Sequence, residues 1–75
     1  MKEYEIVIKL CNACAGSGRP QVFFEEAELA SPDDYIKMKH GTDFSNFQKI
    51  VCPDGMIVYQ YDNGSSSYTY EFTEC

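Results

Sequence analysis

Residues 56–73 read MIVYQYDNGSSSYTYEFT, and they constrain the fold more than any other stretch of the chain. Two runs rich in aromatic and β-branched residues flank Asn63-Gly64, the strongest short hairpin signal a sequence can carry. Strands are expected over 56–62 and 67–73. Taking Asn63-Gly64 as a two-residue turn pairs Ile57 with Tyr70 and Tyr59 with Tyr68, and Phe72 continues the same face. Aromatic and β-branched pairs of this kind stabilise a sheet by roughly 0.2–1 kcal/mol each. The opposite face, with Val58, Gln60, Thr69, Glu71 and Thr73, is more polar. A slip of one residue would exchange the faces, so the pattern fixes which residues share a side.

The remaining elements follow from simpler signals. Residues 3–10 alternate, with Tyr4, Ile6, Ile8 and Leu10 on one face and Glu3, Glu5, Val7 and Lys9 on the other, so a strand is expected. Residues 11–20 hold two glycines and a proline and read as a loop. Residues 21–29, QVFFEEAEL, open like a strand and close like a helix. The strand reading is preferred because a stronger helix start follows, and it puts Phe23, Ala27 and Leu29 on one side. Ser31 is a good N-cap, Pro32 suits the first helical position, and Asp33 and Asp34 complement the positive helix end. Lys37, Lys39 and His40 suit the last turn and Gly41 can close it, so a helix is expected over 32–40. Residues 42–47 read as a turn or short helical turn, with Phe44 and Phe47 towards the core. Residues 48–52 read as a strand and Pro53-Asp54-Gly55 as a turn. The order β-β-α-β-β-β predicts a small two-layer α+β domain spanning residues 1–75, with one short helix on a mainly antiparallel sheet.

Size and charge narrow the function. A chain of 75 residues buries only about 60% of its unfolded surface, so a metal, a disulfide or a partner chain would help it. With 44% hydrophobic and 15% aromatic residues it is globular rather than disordered. Twelve acidic residues against six basic ones give a formal net charge of −6, which disfavours direct binding to nucleic acid. The same acidity suits a partner that is itself basic. Glu3, Glu5 and Lys9 interrupt the apolar run a signal peptide needs, and no stretch approaches a membrane span. A cytoplasmic protein is therefore expected, in a compartment where thiols stay reduced.

The chemistry most open to question lies in CNACAGSGRP, residues 11–20. Cys11 and Cys14, spaced three apart on a tight turn, can grip one metal ion. The pattern C-x-x-C-x-G-x-G resembles the zinc knuckle of the cysteine-rich domain in DnaJ-type cochaperones and in anti-TRAP, where two knuckles share one Zn²⁺. The resemblance covers eight residues, and this chain has one such copy. It implies at most that Cys11 and Cys14 are ligands. A structural zinc needs four. The hairpin register, carried further, brings Cys52 beside Cys75, which would complete a Cys11–Cys14–Cys52–Cys75 site; His40 is a substitute ligand. If the first strand runs parallel to the last, all four cysteines meet; if antiparallel, the two pairs sit at opposite ends.

Two other readings of the cysteines stand beside the zinc site. A thiol redox carrier would place Cys11-x-x-Cys14 at a helix N-terminus, but Gly16, Gly18 and Pro20 oppose a helix there. Alternatively the cysteines pack as small hydrophobes, or Cys52 bridges Cys75. Nothing else points to catalysis. His40, the one histidine, fits a helix end without further function, and the Gly16–Arg19 loop lacks the features of a dinucleotide or phosphate loop. The stripe Tyr59, Tyr61, Tyr68, Tyr70 and Phe72 is expected to pack beneath the helix, or to bind protein if exposed. The sequence thus predicts a non-enzymatic interaction or accessory module with a protein partner, for which a structural zinc at the four cysteines is a candidate staple; the alternatives are an acidic regulator or decoy of a basic partner such as a nucleic-acid-binding protein, and a thiol redox carrier.

Overall fold

The computed structural model of the protein describes residues 1–12 and 21–74. Five strands and one α-helix are formed, and strands dominate. In chain order they are β1 (Lys2–Asn12), β2 (Gln21–Leu29), α1 (Pro32–His40), a 3-10 segment (Gly41–Asn46), β3 (Gln48–Val51), β4 (Ile57–Asp62) and β5 (Ser66–Glu74). The strands form one sheet in the order β2-β1-β5-β4-β3, and every pairing is antiparallel. The contested stretch 21–29 is a strand. Its Glu-Glu-Ala-Glu tail has helical propensity, but pairing with β1 from Lys2↔Leu29 to Leu10↔Gln21 overrides it.

The α1 start behaves as its residues dictate. The Ser31 Oγ accepts a hydrogen bond from the Asp33 N–H at 3.2 Å, and Pro32 occupies the first turn. At the other end Gly41 takes φ 57°, and its N–H donates to the Lys37 carbonyl.

The β4–β5 hairpin corrects the expected register by two residues. Ile57 pairs with Phe72, Tyr59 with Tyr70 and Tyr61 with Tyr68, and the last pair is Asp62↔Ser67. The connection is therefore wider than Asn63-Gly64 alone. Asn63 supplies the reason. Its side-chain oxygen accepts from the Ser65 N–H at 3.0 Å and the Ser66 N–H at 2.7 Å, while its own N–H donates to the Ser66 carbonyl. The Asp62 carboxylate accepts from the Gly64 N–H and the Ser67 hydroxyl, which hold it below the usual carboxylate range. These side-chain bonds close a four-residue loop, with Gly64 at φ 91°. An even shift conserves side-chain parity, so the expected faces survive the changed register.

One face of the sheet carries the core. Tyr4, Ile6 and Ile8 of β1, Tyr59 of β4, and Tyr70 and Phe72 of β5 are buried against Tyr35 and Ile36 of α1. Phe72 is the hub, with ring centroids 5.5 Å from Tyr35, 5.6 Å from Tyr59 and 6.2 Å from Tyr4, all edge-to-face. Three tyrosine hydroxyls then tie the helix to three strands. Tyr59 of β4 donates to Asp33 at the helix start. Tyr35 donates to Glu25 of β2 at 2.7 Å. Tyr70 of β5 meets the His40 Nε2 at 2.7 Å at the helix end. Among the described residues no buried side-chain nitrogen or oxygen lacks a partner, as a low-dielectric core requires. The aromatic stripe is therefore core, with Tyr61 and Tyr68 at its half-buried margin.

Candidate functional site

The direction of β1 decides where the cysteines go. β1 runs antiparallel to β5, pairing Cys11 with Ser67 at the end of the sheet that carries the β4–β5 loop. Cys52 lies in the β3–β4 turn at the other end, where its N–H donates to the Met56 carbonyl at 2.8 Å and its carbonyl accepts from the Gly55 N–H. Five to six residues of β5 separate these levels, roughly 17–20 Å. Two thiolates on one Zn²⁺ each stand about 2.3 Å from the ion, so no single ion reaches both in this arrangement. Cys11 and Cys52 are free and half-buried. Cys14, Cys75 and the Gly16–Arg19 loop lie outside the described residues. Among the described residues no group of three or more His, Cys, Asp or Glu side chains is placed to hold a metal.

His40 is occupied on the core face. Its ring packs 4.8 Å from Phe47 and 5.0 Å from Tyr68, measured between centroids, besides its contact with Tyr70. Burial pushes its pKa below the ordinary imidazole value, with Lys39 adding to the effect and Asp43 opposing it. The fold therefore holds the neutral ring. That contribution to stability is complete above about pH 6.5 and falls as the solution becomes more acidic.

The face of the sheet opposite the helix carries exposed apolar side chains beside acidic ones. The pairings align Phe24, Val7, Glu71, Val58 and Ile50 in one row across all five strands. Phe24 is 77% exposed and Ile50 37% exposed. Glu71, the one charge in the row, accepts from Lys9 Nζ at 3.1 Å. Val22 stands beside Phe24's row, opposite Lys9, and is exposed. A hollow of about 340 Å³ lies next to Phe24 and Val7, rimmed by Glu5 and Glu26.

Beyond that row the same face turns acidic. Glu3 pairs directly with Glu28, and Glu5 with Glu26. Like charges placed opposite each other destabilise a sheet. Among the described residues no cation forms an ion pair with any of the four: Lys2 pairs with Glu74, Lys9 with Glu71 and Lys49 with Asp33. The face thus combines exposed apolar side chains with an acidic patch that no cation among the described residues pairs. Sequence reasoning passed over Phe24 and Ile50, although their signal is present. Val22 and Phe24 alternate with Phe23, so they fall on the face away from the helix.

A concavity of about 750 Å³ lies beside the β4–β5 loop and is lined chiefly by Asn46, Gln48, Gln60, Tyr61 and Asp62. Its side chains can hydrogen-bond, and among the described residues the lining offers no histidine, cysteine or cation. Among the described residues no helix is long and apolar enough to cross a membrane. No family model, curated protein or solved structure matches the chain.

Proposed function

We propose that the protein is a small non-enzymatic interaction module, a two-layer α+β unit that binds a protein partner through the sheet face opposite its helix. The observation that carries this reading is the exposure of Val22, Phe24 and Ile50 on that face, beside four glutamates in direct opposition. Neither the exposed Phe24 ring nor the opposed glutamates support the fold. Exposed aromatic area gains nothing from solvent, and opposed carboxylates cost stability. Both make sense when another surface covers them. The acidity narrows the partner to one with basic residues, which joins the module reading to the acidic-regulator reading. Free thiols at Cys11 and Cys52 fit a reducing, cytoplasmic setting.

The test is the double variant Phe24→Thr, Ile50→Thr. Threonine has good strand propensity, and both positions are exposed on the sheet, so the melting temperature is expected to stay close to wild type, with each change worth about 0.5 kcal/mol or less. Proteins that co-purify with the wild type from the source cells should be lost. Retention of the same proteins by the folded variant would contradict the reading.

A further inference from the structure

We propose that β2 accepts an added strand from a cationic, extended segment of the partner, an inference that rests on the interaction-module reading and names its partner chemistry. β2 is the terminal strand of the sheet and runs nine residues, Gln21–Leu29. On the side away from β1 its backbone N–H and C=O groups have no neighbouring strand among the described residues. Such an edge is a template for another chain unless something blunts it. The usual devices are a short strand, a proline, a lysine or a bulge. The opposite edge, β3, is short, contains Lys49 and is soon followed by Pro53. Within its nine residues β2 has no proline, lysine or bulge, although Pro20 precedes it in sequence, and its pairing with β1 is continuous from Gln21 to Leu29. Its only guard is charge: Glu25, Glu26 and Glu28.

That guard is selective rather than general. Glu26 and Glu28 project on the outer face, where Glu5 and Glu3 already stand opposite them. A second copy of this chain, paired along the same glutamates, would add further like charges. A strand bearing lysine or arginine would instead relieve the existing repulsion. The other half of β2 sets the apolar part of the code, since Val22 and Phe24 are exposed on the same outer face. An antiparallel incoming strand therefore meets Glu28, Glu26, Phe24 and Val22 at alternate positions. It reads, from its N-terminus, cation, x, cation, x, apolar, x, apolar. Backbone bonds to the edge supply the attachment and the alternate side chains supply the choice. Glu25 points to the core face and is held by the Tyr35 hydroxyl at 2.7 Å, which anchors the middle of the edge to the helix.

The probe is the synthetic peptide Lys-Thr-Lys-Thr-Val-Thr-Val, with a control in which both lysines are glutamate. Hydrogen exchange of the intact protein is followed residue by residue. The lysine peptide is expected to slow exchange of β2 amides and to bind more weakly as salt rises. The glutamate peptide should leave β2 unchanged. Glu26→Lys with Glu28→Lys, both at exposed positions, should weaken the lysine peptide about tenfold while its melting curve confirms the variant is folded. Equal binding of both peptides overturns the proposal, as does protection confined to residues outside β2. Concentration-dependent dimerisation with β2 amides protected in the absence of peptide also overturns it, because the edge then belongs to a second copy. If the Phe24 and Ile50 variant loses its cellular partner while the lysine peptide leaves β2 unprotected, strand addition fails and the interaction-module reading stands.

Discussion

Replacing Phe72 by alanine is expected to unfold the protein. Phe72 is 0% exposed and meets three tyrosine rings, one from the helix and two from neighbouring strands. Removing a buried phenylalanine side chain costs about 3–5 kcal/mol, because contacts are lost on every side and the cavity collapses only in part. At about 0.05–0.15 kcal/mol per residue, a chain of this size holds roughly 4–11 kcal/mol in all. The variant should therefore melt far below wild type or be unfolded at room temperature. Phe24→Ala is the matched control. It removes the same atoms from a site that is 77% exposed, and the change should stay within about 0.5 kcal/mol. A Phe72→Ala protein with a wild-type denaturation curve would show that the rings do not form the core.

The second large effect is alkaline unfolding. Burial, reinforced by the hydrogen bond to Glu25, pushes the Tyr35 phenol well above its ordinary range. Tyr59 is raised in the same way by burial and its bond to Asp33, and Tyr70 is raised by burial with Tyr68 and Glu25 adding to it. The fold therefore holds these phenols protonated, whereas in the unfolded chain they ionise near pH 10. The folded state binds more protons above that pH, so stability is complete below it and falls as pH rises further. Circular dichroism and tyrosinate absorbance should change together in a steep transition above about pH 10. Smooth titration of all six tyrosines near that value, with the sheet intact, would contradict the three-hydroxyl link between helix and strands.

Local signals carried the fold a long way. Ser31-Pro32 fixed where the helix starts, because capping and proline geometry depend on a few adjacent residues. Asn63-Gly64 located the hairpin but not its width, since the Asn63 and Asp62 side chains close a wider loop than the dipeptide implies. The residues 21–29 were ambiguous because β1, twenty residues away in sequence, decides between strand and helix. The proposed zinc site depended on the same kind of distant fact. Whether Cys11 meets Cys52 turns on the direction of β1 against β5, which no local pattern encodes, and antiparallel pairing sends the two to opposite ends. The outer face was legible residue by residue in the alternation of 3–10 and 21–29. What alternation does not say is which face a single short helix will cover.

The helix-covered face of this sheet holds most of the core, and the open face with its β2 edge is the proposed binding surface. Site-specific photo-cross-linking in the source cells tests it most directly. A photoreactive phenylalanine analogue replaces Phe24 in one protein and Met38 in another, both exposed positions, the first on the open sheet face and the second on the helix. The account predicts a discrete cross-linked partner from position 24, reduced by added salt, and none from position 38. A partner captured from the helix position, with nothing from position 24, would contradict it.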